Sequence, residues 1–335
     1  MTKNSPVSIL VPFYNVEKWI EKCVRSAFEQ TYENLEYIFV DDCSPDNSFG
    51  ILQQVIADYP HRAPKVRIFR HERNIGPANT RNECVEACNT EFLFFLDSDD
   101  WLEPNAIELL VEKQLETGAD IVTACANKSI GDVLQPYHDG GFNLNKEEAI
   151  RGFLSLKVDH SLVRRLIRTS LFREYDIHCI ENVNMAEDYQ VIPKLYYYAE
   201  SVSSIPDYVY TVNRNNHTSC VYRFHHFDWS LMKCSITSFE SVRSFFSDKA
   251  DYRELIDRTV LKKYYKTLLM CLKSHNKEGF DYCKEHLLQF EPELLKEIKW
   301  DNKTVRLLES HYYLMMATYP VRRLRWRIRT GLHSN

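Results

Sequence analysis

Residues 91–101, EFLFFLDSDDW, decide how the rest of the chain is read. Phe92, Leu93, Phe94, Phe95 and Leu96 form an unbroken apolar run, the pattern of a strand buried on both faces of a largely parallel sheet. Asp97, Ser98, Asp99 and Asp100 follow at once. Three carboxylates at the carboxyl end of a buried strand repel one another, and folding alone gives no reason to collect them. In open α/β sheets the crevice beyond the carboxyl ends of the strands is where ligands sit. A divalent cation carrying a diphosphate turns that repulsion into attraction. Magnesium is typically held by only one or two protein carboxylates, with water and phosphate completing its shell. Capping of a helix expected from Glu103 and Pro104 accounts for one of these acids, Asp100, but not for all three.

Upstream, Val7 to Val11 reads as a short buried strand ended by Pro12, with Phe13, Tyr14 and Asn15 in a turn. Glu17 to Phe28 then places Trp19, Ile20, Val24 and Ala27 on one helical face. Leu35 to Val40 is a second strand running into Asp41 and Asp42, followed by a helix over Asn47–Tyr59 and a third strand over Lys65–Arg70. Gly76 and Pro77 punctuate a turn within HERNIGPANTRN (71–82), and Thr80 to Ala87 continue as helix. Arg73 and Arg81 share that loop and helix start, an arrangement suited to an anionic ligand. Downstream, a helix over Glu103–Glu116 and a strand over Asp120–Ala124 complete the alternation. The pattern predicts an α/β fold, a doubly wound, mostly parallel mixed sheet of Rossmann-like type.

The organisation changes near Asn127. Lys128 to Asn145 carries Gly131, Pro136, Gly140 and Gly141 among polar residues and reads as a loop or an irregular excursion. Lys146 to Leu156 looks helical, Leu162 to Arg173 follows, and Ile177 to Val183 is strand-like or irregular. Glu187 and Asp188 open a helix that contains Tyr196, Tyr197 and Tyr198, and Ser201 to Val212 reads as strand. A polar cluster, NRNNHTS (213–219), ends this half. From Val221 onward the signals are helical, over Trp229–Phe246, Tyr252–Ser274 and Glu278–Phe290. At the end, VRRLRWRIR (Val321–Arg329) sets five arginines around an apolar stripe. That suits the surface of an anionic membrane, and equally a solvated tail or a helix that docks on another subunit, a homodimer included.

The whole chain sets limits on function. Its 335 residues are long enough for two domains. With a net charge of −5 there is no basic excess of the kind a nucleic-acid binder needs. Only 9 glycines are present, and neither G-x-G-x-x-G nor the P-loop pattern occurs. The 10 cysteines form no C-x-x-C pair, which argues against a zinc site. No charged-then-apolar leader opens the sequence and no apolar run reaches membrane-spanning length, so a cytoplasmic protein, peripheral at most on the inner face of the membrane, is expected.

Taken together, VSILVPFYNVEKWIEKCVRSAFEQTYENLEYIFVDDCSPDNS, RNIGPANTRN and FLFFLDSDDWLEP resemble the family-2 glycosyltransferases of GT-A fold. The resemblance covers residues 5–125 closely and extends more loosely to about 220. It implies a transferase domain over 1–220, with a nucleotide-sugar half (about 5–125) and an acceptor half (about 126–220), followed by a helical C-terminal region over 221–335. It further implies a metal-dependent, inverting hexosyltransferase using Mg2+ or Mn2+. The donor would be a nucleotide-diphosphate sugar, in particular a UDP-sugar, and the acceptor a saccharide or lipid-linked saccharide of surface polysaccharide synthesis.

By the same resemblance, Pro12, Tyr14, Asn15 and Glu17 lie near the donor base and ribose, Asp41 reads the base, and Asn74, Gly76 and Arg81 lie near the nucleotide. Asp97 and Ser98 fall by the ribose, Asp99 on the metal with Asp97 beside it, and Asp188 is the catalytic base, with Glu187 its neighbour or sharing the duty. Arg214 and His217 resemble a loop closing over the diphosphate, although Thr211 stands after Tyr210 where the family has an arginine. The alternative from another class is a non-catalytic sugar-nucleotide-binding or scaffolding subunit.

Overall fold

The structure is a computed structural model that describes residues 5–137, 143–216 and 228–297. The chain divides into two compact units, Met1–Tyr222 and Arg223–Asn335. In the first, strands β1 (Val7–Phe13), β2 (Leu35–Asp41), β3 (Val66–Arg70) and β4 (Phe92–Phe95) are parallel, in the order β3-β2-β1-β4. Helices α1 (Ile20–Phe28), α2 (Ser48–Asp58) and α3 (Pro77–Ala87) connect them.

The pleat sends Val7, Ile9, Val11, Phe92, Phe94 and Leu96 into one core with Ile20, Val24 and Phe28 of α1 and Leu52 of α2. Their neighbours Leu10, Ile38, Val40, Leu93 and Phe95 are equally buried, so the sheet is covered on both faces, as the apolar run at 92–96 requires. Each buried Phe contributes roughly 1.5–3 kcal/mol.

The second half of the sheet is mixed. Beyond β4 the order continues β8 (Arg165–Arg168), β6 (Ile121–Ile130), β9 (Val202–Asn213) and β5 (Trp101–Leu102), with β7 (Val133–Tyr137) off β6. β8 is antiparallel to both its neighbours, whereas β6 and β9 are parallel. Helices α4 (Ala106–Thr117), α5 (Lys146–Leu154), α6 (Ser170–Glu174) and α7 (Glu187–Tyr198) complete this unit. The second unit holds α8 (Trp229–Phe245), α9 (Ala250–Lys273), α10 (Lys277–Leu287) and α11 (Pro292–Glu297).

Three expectations are corrected here. The stretch Lys128–Asn145 is not simply a loop: β6 runs on to Ile130 and turns at Gly131, φ +57°, into β7. Ile130, Val133 and Leu134 of this hairpin are exposed, so it carries no burial pattern to reveal it. Within Leu162–Arg173 a strand, β8, is inserted between β4 and β6, and its first residue, Arg165, is fully buried together with Arg164. Charged side chains mask the strand in the sequence. Finally, the helix expected at Glu103 starts at Ala106 behind Asn105, and Asp100 does not cap it. Asp100 is buried, accepting from the Tyr210 hydroxyl at 2.7 Å and the Asn213 N–H at 2.7 Å. The basic segment Val321–Arg329 lies outside the described residues, and among those described no helix is long and apolar enough to cross a membrane.

Candidate active site

Parallel strands in register end together, and that places the loops of interest side by side. Phe13 pairs with Asp41, and Leu10 with Phe95, so Tyr14, Asp42 and Asp97 leave the sheet along one edge. The loops after β1 and β2 are stitched to each other. Asn15, in the left-handed region (φ +55°), donates its N–H to Ser44 Oγ at 3.2 Å, and Val16 N–H donates to Ser48 Oγ at 2.9 Å. Glu17 N–H donates to Asp46 Oδ2 at 2.9 Å, while Glu17 Oε2 accepts from Asn47 N–H at 3.1 Å. Beside this double loop Pro12 is half-buried, and Tyr14 stands 45% exposed and able to offer its ring.

Asp41 is fully buried. Its Oδ1 accepts from Ser44 N–H at 2.8 Å, and its Oδ2 faces Arg70 Nε at 2.9 Å without a well-aligned hydrogen bond. Asp42 instead holds the next loop, accepting from the N–H groups of Ile75 and Gly76 at 2.8 Å each. Asn74 Nδ2 donates to the Asp42 carbonyl at 3.4 Å. Gly76 is required on two counts: its φ is +89°, and a Cβ there would fall 2.2 Å from Asn184 Nδ2.

The second turn of α3 brings Arg81 to the acids. Its Nη2 pairs with Asp97 Oδ1 at 2.8 Å, and its Nε lies 3.3 Å from Glu187 Oε1 and 3.4 Å from Asp188 Oδ1. Arg81 is buried, which works against its charge, but the three carboxylates outweigh burial and hold it firmly protonated. Its Nη1 is buried without a hydrogen-bond partner. Asp188 also accepts from Leu162 N–H at 3.1 Å. Burial, with the charges of Glu187 and Asp97, pushes the Asp188 carboxyl up to about 7 against the opposing pull of Arg81. The acid pair opens α7 behind Ala186, a non-glycine residue in the left-handed region that offers no capping side chain.

Asp97 N–H donates to the Tyr210 hydroxyl at 3.1 Å, and the same hydroxyl donates to Asp100. Cys23 of α1 donates to the Asp97 carbonyl at 3.6 Å from beneath. Ser98 is buried in the same loop. Asp99 accepts from Asn216 Nδ2 at 2.8 Å, and burial together with Asp97 raises its carboxyl to about 6 while the Arg214 charge pulls it back. Arg214 is exposed, its guanidinium 5.6 Å over the Tyr137 ring of β7, and its N–H donates to Ser129 O at 2.9 Å. Asn215 accepts from Gly131 N–H at 2.7 Å. The hairpin β6–β7 thereby braces the segment that carries Arg214 and Asn216. His217 lies outside the described residues.

The structure therefore gathers Arg81, Asp97, Glu187 and Asp188 in direct contact, with Asp99 and Arg214 beside them, and sets Tyr14, Asn15, Glu17 and Asp41 in a neighbouring rim. Sequence reading did not assign Asn216, Leu162 or the hydroxyl of Tyr210. Asn216 stood in a recognised polar cluster, but a backbone N–H such as that of Leu162 leaves no trace in sequence.

Among the described residues no group of three or more His, Cys, Asp and Glu is set to hold a metal. The donor set still fits a hard divalent cation. Asp97 and Asp99 offer carboxylate oxygens, and burial first and Asp97 second raise the Asp99 carboxyl, a cost that a cation would relieve; one or two carboxylates suffice where phosphate and water supply the rest.

Comparison with known proteins covers the part of the chain that carries Asp41, Arg81, Asp97 and Asp99. The family model described as Glycosyl transferase family 2 matches residues 8–176, half of the chain. The uncharacterized glycosyltransferase EpsJ of Bacillus subtilis (strain 168) is 30% identical over 65% of this chain and 64% of its own length. Chondroitin synthase of Escherichia coli is 40% identical over 36% of this chain and 16% of its own. The chain thus spans less than two thirds of either relative. Among solved structures, S. aureus TarS superposes with a TM-score of 0.66 at 18% identity, covering 86% of this chain and 50% of that one. The mannosyltransferase PcManGT from Pyrobaculum calidifontis, in complex with GDP-Man and Mn2+, gives 0.54 at 12% identity over 93% and 83%. These likenesses establish the fold. With the family model spanning the β1, β2, β3 and β4 edge and its acids, the chain belongs to glycosyl transferase family 2.

Proposed function

We propose that the chain is an inverting, metal-dependent glycosyltransferase that moves a sugar from a UDP-sugar to a saccharide or lipid-linked acceptor in polysaccharide synthesis. The observation that carries this reading is the Arg81 cluster. One guanidinium touches an acid of the 97–100 loop on one side and the acid pair of α7 on the other. A donor held at the first and an acceptor hydroxyl at the second would meet across it. TarS 1-349 has been solved with UDP-GlcNAc, at a TM-score of 0.57 to this chain and 18% identity, which favours a uridine donor.

In this reading Tyr14 stacks on the base, and Asp41 accepts from a ring N–H once the half-exposed Arg70 swings aside. Asp99 and Asp97 would hold Mg2+ or Mn2+, which neutralises the departing diphosphate as a Lewis acid. Asp188 takes the acceptor hydroxyl proton as its oxygen attacks the anomeric carbon. A carboxyl at about 7 is matched to that duty, since a general base works best with a pKa near the operating pH. Burial and, to a lesser degree, Glu187 keep the Asp188 carboxyl high, and Arg214, whose charge reaches Asp99, would face the leaving phosphates.

The test is a panel of nucleotide sugars scored by released nucleoside diphosphate, with and without chelator, on the wild type and on Asp188→Asn. Metal-dependent release with one donor, lost in the variant while UDP still binds, is the expected result. A wild type inert toward every donor returns the chain to the reading of a binding or scaffolding subunit.

A further inference from the structure

His71 stands immediately after β3 and is not among the expected site residues, and its ring is wedged between two carboxylates. Nδ1 lies 2.7 Å from Asp42 Oδ1, and Nε2 is within hydrogen-bonding distance of Glu83 Oε2 on α3. The ring is 11% exposed and the Asp42 side chain 4%. A neutral imidazole has one N–H and one lone pair. Set between two ionised carboxylates, it satisfies one and turns its lone pair on the other, whereas the imidazolium donates to both. Two acceptor groups on one ring therefore favour its charged form.

What the ring holds is the loop that carries Asn74 and Gly76. The Asp42 carboxylate that accepts from His71 also accepts from the N–H groups of Ile75 and Gly76. Glu83 sits two residues beyond Arg81 on the helix that this loop starts. The His71 N–H also donates to the Asp41 carbonyl at 2.9 Å. His71 thus ties the ends of β2, the 72–76 loop and α3 into one clamp. We propose that protonated His71 is a positioning residue for donor binding, holding the Asn74–Gly76 loop and the start of α3 in place, and that loss of its proton loosens the donor site. This rests on the donor-binding reading given above.

Burial opposes the charge of the ring, but hydrogen bonding to Asp42 and Glu83 outweighs it and raises His71 above its ordinary 6.5. The charged groups in contact with the ring are Asp42 from β2 and Glu83 from α3; Arg70, next in the chain, is engaged by Asp41. The sign follows from the raised value. The clamp is intact below about 6.5 and is lost as pH rises through the higher folded-state pKa.

The experiment uses the full chain and UDP with Mn2+ as probe, with the dissociation constant measured from pH 6 to 9 and amide exchange of Ile75 and Gly76 followed in parallel. In the wild type UDP affinity is expected to fall by about tenfold per pH unit above the His71 pKa, with amide protection of the loop falling alongside. Glu83→Gln separates this role from mere packing, because a glutamine amide can donate to Nε2 while a neutral ring still donates to Asp42. That variant should keep tight binding and lose the pH step. His71→Phe should bind weakly at every pH. A pH-independent wild type, or a step unchanged in Glu83→Gln, overturns the proposal. If UDP binds at no pH while loop protection still follows the His71 titration, the clamp stands and the donor reading falls.

Discussion

Replacing Glu187 by Gln removes a negative charge beside Asp188 with little change of volume, and the acid limb of activity is expected to move to lower pH. Burial is the largest reason Asp188 stands at about 7, and it persists in the variant; the part owed to Glu187 does not. Glu187 Oε1 and Asp188 Oδ1 lie 3.3 and 3.4 Å from the same Arg81 nitrogen, so they are no more than about 7 Å apart. At that separation and an effective dielectric of about 20, Coulomb's law gives roughly 2 kcal/mol, between one and two pKa units.

The Asp188 carboxyl should therefore fall from about 7 to roughly 5.5, and the limb of kcat/KM, which reports the free enzyme, should move down from about 7 until the Asp99 carboxyl at about 6 sets it. At pH 6 the wild type would hold about one tenth of Asp188 ionised and the variant most of it. The assay is the initial rate of nucleoside diphosphate release across pH 4.5 to 9 with whichever donor the panel identifies. A limb that stays in place or moves upward in Glu187→Gln refutes the reasoning, because the limb would then belong to another group.

Four further outcomes are expected. UDP should raise Tm only with Mg2+ or Mn2+ present; Asp99→Ala should abolish that dependence, and in the wild type it should fade below pH about 6 as Asp99 protonates, while a shift that survives chelator removes the metal assignment. Gly76→Ala should lower stability by about 1–3 kcal/mol through its positive φ and the clash with Asn184, read by denaturant titration. Tyr210→Phe leaves buried Asp100 without its hydroxyl donor and should cost about 1–3 kcal/mol; an unchanged Tm would mean that this hydrogen bond adds nothing. Ala186→Gly should stabilise the chain by about 1 kcal/mol by relieving the left-handed residue ahead of α7, and a lower Tm would refute it.

Much of this protein was legible before any coordinates. A strand buried on both faces must be apolar throughout, so Phe92–Leu96 announced the centre of the sheet, and the carboxylates crowded after it had no local explanation. Strand β8 was hidden because buried Arg165, with Arg164 just before the strand, imitates a solvated face, and the β6–β7 hairpin because its apolar residues are exposed. The site divides along the same line. Asp97 and Asp99 could be proposed from their place straight after a buried strand, whereas Glu187 and Asp188 were singled out only by the resemblance to the family, since an acid pair at a helix start has a local explanation of its own.

Tertiary structure decided which of these acids share a cation, because Arg81 meets Asp97 and Asp188 only after strands β4 and β8 and helix α7 have been brought together. It also decided that Asp100 serves Tyr210 and Asn213 rather than a helix end, and that His71 bridges Asp42 and Glu83. Such pairings join residues 12 to 113 positions apart. Sequence pattern records the periodicity of an element and the chemistry of a side chain; the partner of a buried charge is set by which distant backbone edge arrives beside it.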